Sequence, residues 1–150
     1  MSDGLSVSIR GEAVLARLQG MEDRLRTELR RAVTRLSITV QAAVKGDKLT
    51  GQVLHVRTGT LRRSINRKIE ETQTSITATV GTNVRYAAIH EYGFDGIVGV
   101  RAHMRLQRPV RAHTRHLRLP ARSFLRSTLA ERTTEITETL REAAMRAVRV

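Results

Sequence analysis

The chain has 150 residues, the size of one domain, and its 27 basic and 14 acidic residues give a formal net charge of +13. It contains no cysteine, which excludes disulfides and thiolate metal sites, and no apolar run approaches the roughly 20 residues of a membrane helix. Because the chain has only two Phe, two Tyr and no Trp, we predict an aliphatic core. The length predicts a single domain, residues 1–150, and the lack of a long apolar run predicts no membrane partner.

The first predicted element is a long helix over residues 11–44. Its outer face carries mixed charge, which is typical of a solvated surface. Gly46 and Asp47 interrupt the pattern, so residues 45–57 are predicted to form a loop. The apolar residues of the helix recur in steps of three and four, which marks one buried face: Val14, Leu18, Met21, Leu25, Leu29, Ala32, Leu36, Val40 and Ala43.

A mixed α/β segment is predicted over residues 57–93. A short helix places Leu61 and Ile65 on one side, with Thr58 or Thr60 as its cap. A third helix, residues 84–92, ends at Gly93. Between them, residues 68–81 alternate with period two and predict two strands joined by a turn at residues 71–74, with one apolar face: Ile69, Ile76, Ala78 and Val80.

Residues 96–119 form a basic arm that we predict to be an extended hairpin. From Arg101 to Arg118 there are three histidines and no acidic residue. Arginine pairs well with carboxylates and phosphates, so the arm favours a polyanionic partner, either nucleic acid or an acidic protein surface. Its six arginines are the candidate interface residues: Arg101, Arg105, Arg108, Arg111, Arg115 and Arg118.

The last predicted element is a helix over residues 121–147, which follows Pro120 and carries a regular apolar face. The predicted fold class is therefore α+β, with a small antiparallel sheet packed by two long terminal helices and an extended basic hairpin or arm. The aromatic residues Tyr86, Tyr92 and Phe124 are expected to anchor the core.

The sequence contains partial matches to catalytic motifs, but none of these motifs is complete. His90-Glu91 starts like a zinc-protease helix, but Phe94 stands where the second histidine is needed. His113 and His116 are three residues apart, so on a strand they would face opposite sides. Neither serine nor glycine motifs of nucleophilic or phosphate-binding sites occur. We therefore expect no enzyme, no catalytic or metal-binding residues and no cofactor.

Three segments, in order, carry a family likeness: residues 57–65 (RTGTLRRSI), residues 80–93 (VGTN, then YAAIHEYG) and residues 119–125 (LPARSFL). Together they resemble the small phage neck and minor tail proteins typified by the head–tail joining family of long-tailed phages, with minor tail protein Z as a distant relative. The segment between Gly93 and Pro120 is longer and more basic than the usual short, glycine-rich stretch of that family.

The resemblance implies a structural virion protein of a tailed phage or phage-like particle. It implies a homo-oligomeric ring in the head–tail connector, around the DNA channel, with portal or adaptor proteins on one side and tail proteins on the other. Incidental contact with DNA in the channel is expected, and assembly in the host bacterial cytoplasm. Two alternatives stay open: a basic nucleic-acid-binding protein, and a tail terminator that caps the tail tube.

Overall fold

The computed structural model describes residues 12–55 and 58–149, with side chains described from Gly20 onward. Helices and antiparallel hairpins alternate along the chain, so the predicted α+β class is confirmed. The elements are α1 (Glu12–Ala43), α2 (Thr60–Ser64), β1 (Asn66–Glu71), β2 (Ile76–Gly81), α3 (Tyr86–Tyr92), β3 (Phe94–Val100), β4 (His103–Arg105), β5 (Arg108–Val110), β6 (His113–Leu119), α4 (Leu125–Glu131) and α5 (Thr133–Val148).

Helix α1 confirms the long amino-terminal helix; the predicted contributions of Val14 and Leu18 to its apolar face lie outside the described side chains. The loop predicted over residues 45–57 was wrong for its first part, because a wide helical turn with a kink continues from Val44 to Gln52; residues 53–55 are not helical, and residues 56–57 lie outside the described residues. Burial holds this turn in place, since Val44 and Leu49 are both enclosed in the core. Within this turn Gly51 has a φ of 130°, which is accessible chiefly to glycine.

The hairpin β1–β2 lies against α1. Strand pairing runs from Asn66 opposite Gly81 to Glu71 opposite Ile76, and it confirms the predicted turn and the common apolar face. Arg26 of α1 donates hydrogen bonds to the carbonyl oxygens of Thr72, at 3.0 Å, and Gln73. Its guanidinium also lies 3.4 Å from the Glu71 carboxylate. The turn of the hairpin is therefore fixed to the helix.

The arm, defined here as Phe94–Leu119, is one long two-stranded hairpin, which confirms the predicted extended structure. Strands β3 and β6 pair from Phe94 opposite Leu119, and the shorter ladder of β4 and β5 continues the same register to the tip. At roughly 3.3 Å per residue the arm is about 40 Å long. Every residue from Arg101 to Pro109 is exposed, so the distal half projects from the body.

The carboxy-terminal segment corrects the single helix predicted over residues 121–147. Residues 120–124 are not helical, and the helix begins only at Leu125, where a buried carboxylate from α3 caps its first turn. A break at Arg132 then separates α4 from α5; the backbone there has φ −107° and ψ 7°. The change of direction lets α5 pack along α1, where Ala143 and Ala147 are buried.

The core lies where the end of α1 meets α2, α3 and α4. Its buried members are Val44, Leu49, Leu54, Ile65, Ala87 and Phe124, which confirms an aliphatic core around one enclosed aromatic ring. The expectation that both tyrosines anchor this core was wrong. Tyr86 and Tyr92 are exposed at the surface of α3, because the short helix buries only Ala87 and Glu91.

Candidate functional site: the basic arm and its anchor

The six candidate arginines all lie exposed on the arm, but they differ in their surroundings. Arg118 is at the base, where its Nε is 3.7 Å from the carboxylate of Asp95. The same carboxylate accepts a contact from Nε2 of His116 at 2.8 Å. The other five arginines have no ion-pair partner within the described residues, so most of the positive charge of the arm is not neutralised inside the subunit.

The arm does not collect its arginines on a single face. Side chains of a strand alternate between the two faces, so Arg115 and Arg118, three apart on β6, point to opposite sides. At the tip, Arg105 and Arg108 are direct cross-strand partners. Two like charges in this position repel each other, and an anionic partner would relieve the repulsion.

The tip itself has an unusual turn. Leu106 and Gln107 have φ values of 48° and 63°, the left-handed region that glycine and asparagine occupy most easily. The Leu106 side chain is 90 % exposed. A leucine and a glutamine in this conformation strain the turn relative to glycine or asparagine.

The histidines of the arm do not form a metal site in this structure. His113 and His116 point to opposite faces of β6, as expected from their spacing. Nδ1 of His103 lies 2.9 Å from the carbonyl oxygen of Arg101. No group of three or more potential metal-ligating side chains occurs in the described part of the chain. Among the helices described, none is both long and apolar enough to cross a membrane.

The arm is anchored by Glu91 of α3, which is 4 % exposed. Its carboxylate accepts hydrogen bonds from the backbone N–H groups of Phe124, Leu125 and Arg126, at 2.9 to 3.0 Å, and from Ser123 Oγ at 2.7 Å. Burial alone would raise the pKa of Glu91, but these hydrogen bonds outweigh it and lower the pKa to about 2. The side chain thus remains ionised as the cap of α4.

Arg126 and Gly93 complete the anchor beside Glu91. The Arg126 guanidinium lies 4.6 Å from the ring centroid of Tyr92 and donates from Nε to Glu91 at 3.2 Å. Gly93 has φ +79°, and a Cβ there would come within 2.9 Å of the Leu119 carbonyl oxygen. Both strands of the arm therefore leave the body through a close backbone contact that only glycine permits.

The sequence did not indicate this anchor. In the sequence Glu91 belongs to an incomplete zinc motif and to the second segment of the family likeness, and neither assigns it a partner; its partners lie more than 30 residues away. The signal that could have found it is the combination of an acidic residue on a short helix and a serine just before a later helix. The anchor joins two of the three segments that carry the family likeness, 80–93 and 119–125.

The first of those segments is also structural. Ser64 Oγ is 2.6 Å from Thr82 Oγ1, which links α2 to the end of β2. Gln41 of α1 donates to the Ile65 carbonyl oxygen at 2.9 Å. The predicted threonine cap was wrong, because Gly59 occupies the cap position of α2. In all three segments the described residues place core, cap and turn contacts, although the first and third also carry exposed arginines, among them Arg62, Arg63 and Arg122.

The sequence profile of the phage virion morphogenesis family matches residues 31–145, more than three quarters of the chain. The matched range includes the arm and all three segments. Neither the curated proteins nor the solved structures gave a match.

Proposed function

The chain belongs to the phage virion morphogenesis family, and from this premise we propose that it is a subunit of the head–tail connector, a neck or tail-completion ring around the DNA channel. Family membership makes it a phage virion protein; its place at the neck, the ring and its partners are the proposal. The portal or adaptor proteins and the tail proteins would be its neighbours on either side.

The observation that carries the proposal is the arm. It projects about 40 Å, is held at its base by Gly93 and Glu91, and presents five arginines that no carboxylate neutralises within the described residues. A subunit in a ring can reach its neighbour with such an arm, and head-to-tail contacts that close by rotation form rings. Arginine forks would then dock on acidic surfaces of the adjacent subunit or ring.

The proposed mechanism is structural and not enzymatic. Glu91 has a strongly lowered pKa, but its carboxylate oxygens already accept hydrogen bonds from the backbone N–H groups at the start of α4. This carboxylate therefore serves as a helix cap and not as a catalytic group. Long helices provide lateral packing, and the arm provides docking. On this proposal the protein acts by shape and charge complementarity alone.

The first test is to assemble phage particles without this protein and to image them by electron microscopy. The proposal expects filled heads and separate tails, or tails with abnormal ends. Complementation with Arg105→Gln/Arg108→Gln should restore joining poorly. Arg24→Gln/Arg35→Gln, which removes the same charge from the outer face of α1, should restore it fully. Normal infectious particles from the deletion would refute the proposal.

A nucleic-acid-binding protein is the second candidate, because the same unpaired arginines would suit phosphates. The arm contains no Phe, Tyr or Trp between Gly96 and Leu119, so base stacking would contribute little. Titration of duplex DNA at low and moderate salt separates the two. Sub-micromolar binding that survives moderate salt favours this candidate, whereas weak binding erased by salt marks DNA contact as incidental.

A further inference from the structure

An apolar groove of about 430 Å³ runs between β2, α1 and the carboxy-terminal helices. Ile76, Ala78 and Val80 line it on one side, and Leu129, Ile136 and Leu140 on the other. Four of these side chains are only partly buried, and Ala78 and Leu129 are exposed. Within the described part of the subunit, the apolar side chains between β2 and the carboxy-terminal helices are therefore incompletely covered.

The groove borders an unpaired strand edge. Among the described strands, β2 pairs only with β1. The hydrogen bond from Thr72 N–H to Ser75 O closes the turn at 2.8 Å, and hydrogen-bonded pairs then alternate along the ladder. Consequently, the backbone N–H and C=O groups of Ile76, Ala78 and Val80 point away from β1 along the free edge of the hairpin, while their side chains line the groove. Such an edge is a template for an added strand.

The arm contains a strand with the matching pattern. Because its two ladders share one register, the residues of its first strand alternate without interruption. Val98, Val100 and Met104 lie on one face, and the basic residues Arg101, His103 and Arg105 lie on the other. Met104 is 66 % exposed in the isolated subunit. The outer edge of this strand is unpaired within the described chain, since β3 pairs only with β6.

We infer that the first strand of the arm of a second copy, residues 97–105, adds to the free edge of β2. The resulting sheet has the order β1, β2, then β3 and β6 of the neighbour. Val98, Val100 and Met104 of the neighbour cover the groove, while the basic face points to solvent on the same side as Thr79. Six residues of β2 offer about 20 Å of edge, which six of the nine residues 97–105 would fill. This inference rests on the proposed ring, because the added strand would be the contact between neighbouring copies that closes the ring.

The test uses the full chain and compares two variants of equal charge. Val100→Glu/Met104→Glu places two carboxylates on the apolar face of the strand. Gly99→Glu/His103→Glu places two on the opposite face, and a side chain at Gly99 meets no atom within 4 Å. Sedimentation should show self-association of the wild type and of the second variant. The first variant should raise the dissociation constant at least about 100-fold, because two apolar side chains lose their burial.

Engineered disulfides provide a second measurement, because the chain has no native cysteine that could form a competing cross-link. Thr79→Cys on one copy should cross-link with cysteine at one of the positions 99, 101 or 103 on another. Thr114→Cys, one strand further out on β6, should not cross-link, since it lies about 10 Å from β2 and beyond disulfide reach.

Each other outcome overturns the inference. Equal association of both glutamate variants, or cross-linking through position 114 alone, would leave the ring intact but move its contact elsewhere. Loss of association on removal of residues 1–10, with the arm variants unaffected, would assign the groove to that segment of a neighbouring copy. A wild type that stays monomeric at every concentration would refute both this contact and the proposed ring.

Discussion

Replacement of Glu91 by glutamine should make the stability of the protein much less dependent on pH. The pKa of Glu91 falls from its ordinary value of 4.5 to about 2 in the folded chain. One pKa unit corresponds to about 1.36 kcal/mol, so the ionised side chain stabilises the fold by about 3 kcal/mol at neutral pH. Because the folded pKa is the lower one, this stabilisation is complete above pH 4.5 and is lost as the pH falls towards 2.

The assay is urea unfolding of the wild type and Glu91→Gln from pH 7 to pH 3. At pH 7 the variant should lose about 3 kcal/mol of unfolding free energy, and at pH 3 the difference should shrink to about 1.5 kcal/mol. Glu138→Gln, which changes an exposed carboxylate on α5, should cost little at either pH. A difference between wild type and Glu91→Gln that stays constant with pH would refute the role of the charged carboxylate.

Three further predictions concern the arm and the core. Gly93→Ala should lower the free energy of unfolding by at least about 1 kcal/mol because of its positive φ and the contact with Leu119, whereas Gly99→Ala should have little effect; urea titration compares them. Leu106→Asn/Gln107→Gly should slow amide hydrogen exchange along the arm, since both residues then suit the left-handed turn; unchanged exchange would mean that the turn is not strained. Phe124→Ala should cost about 3–5 kcal/mol, because its ring is fully enclosed, and a small change in the melting temperature would contradict this.

The elements with strong periodicity could be predicted from the sequence. The long apolar face of α1 and the alternation in β1 and β2 reflect burial on one side, which local patterns record directly. The arm was also predictable, because the strand-like run from Gly96 to Val100 and the interruption at Pro109 favour an extended hairpin. Its candidate arginines are all exposed there, and their role in binding stays a prediction.

The remaining features depend on contacts between distant residues. The wide helical turn Val44–Gln52 continues past Gly46 and Asp47, which suggested an end to the helix, and it is kinked at Leu49, whose side chain is buried in the core with Val44. Helix α4 begins late because Glu91 caps it from another part of the chain. No proline or glycine in the sequence indicates the break at Arg132. The Arg132 guanidinium pairs with Glu135 at 2.7 Å and contacts Asp47 at 4.0 Å.

The most direct test of a connector subunit is its position in purified virions, measured by electron cryo-microscopy of the neck. We expect a ring of copies between the portal stack and the tail tube, with the arm of each copy reaching its neighbour. Density for this protein at the distal tail or in the capsid shell, or its absence from purified particles, would show that it is not a connector subunit.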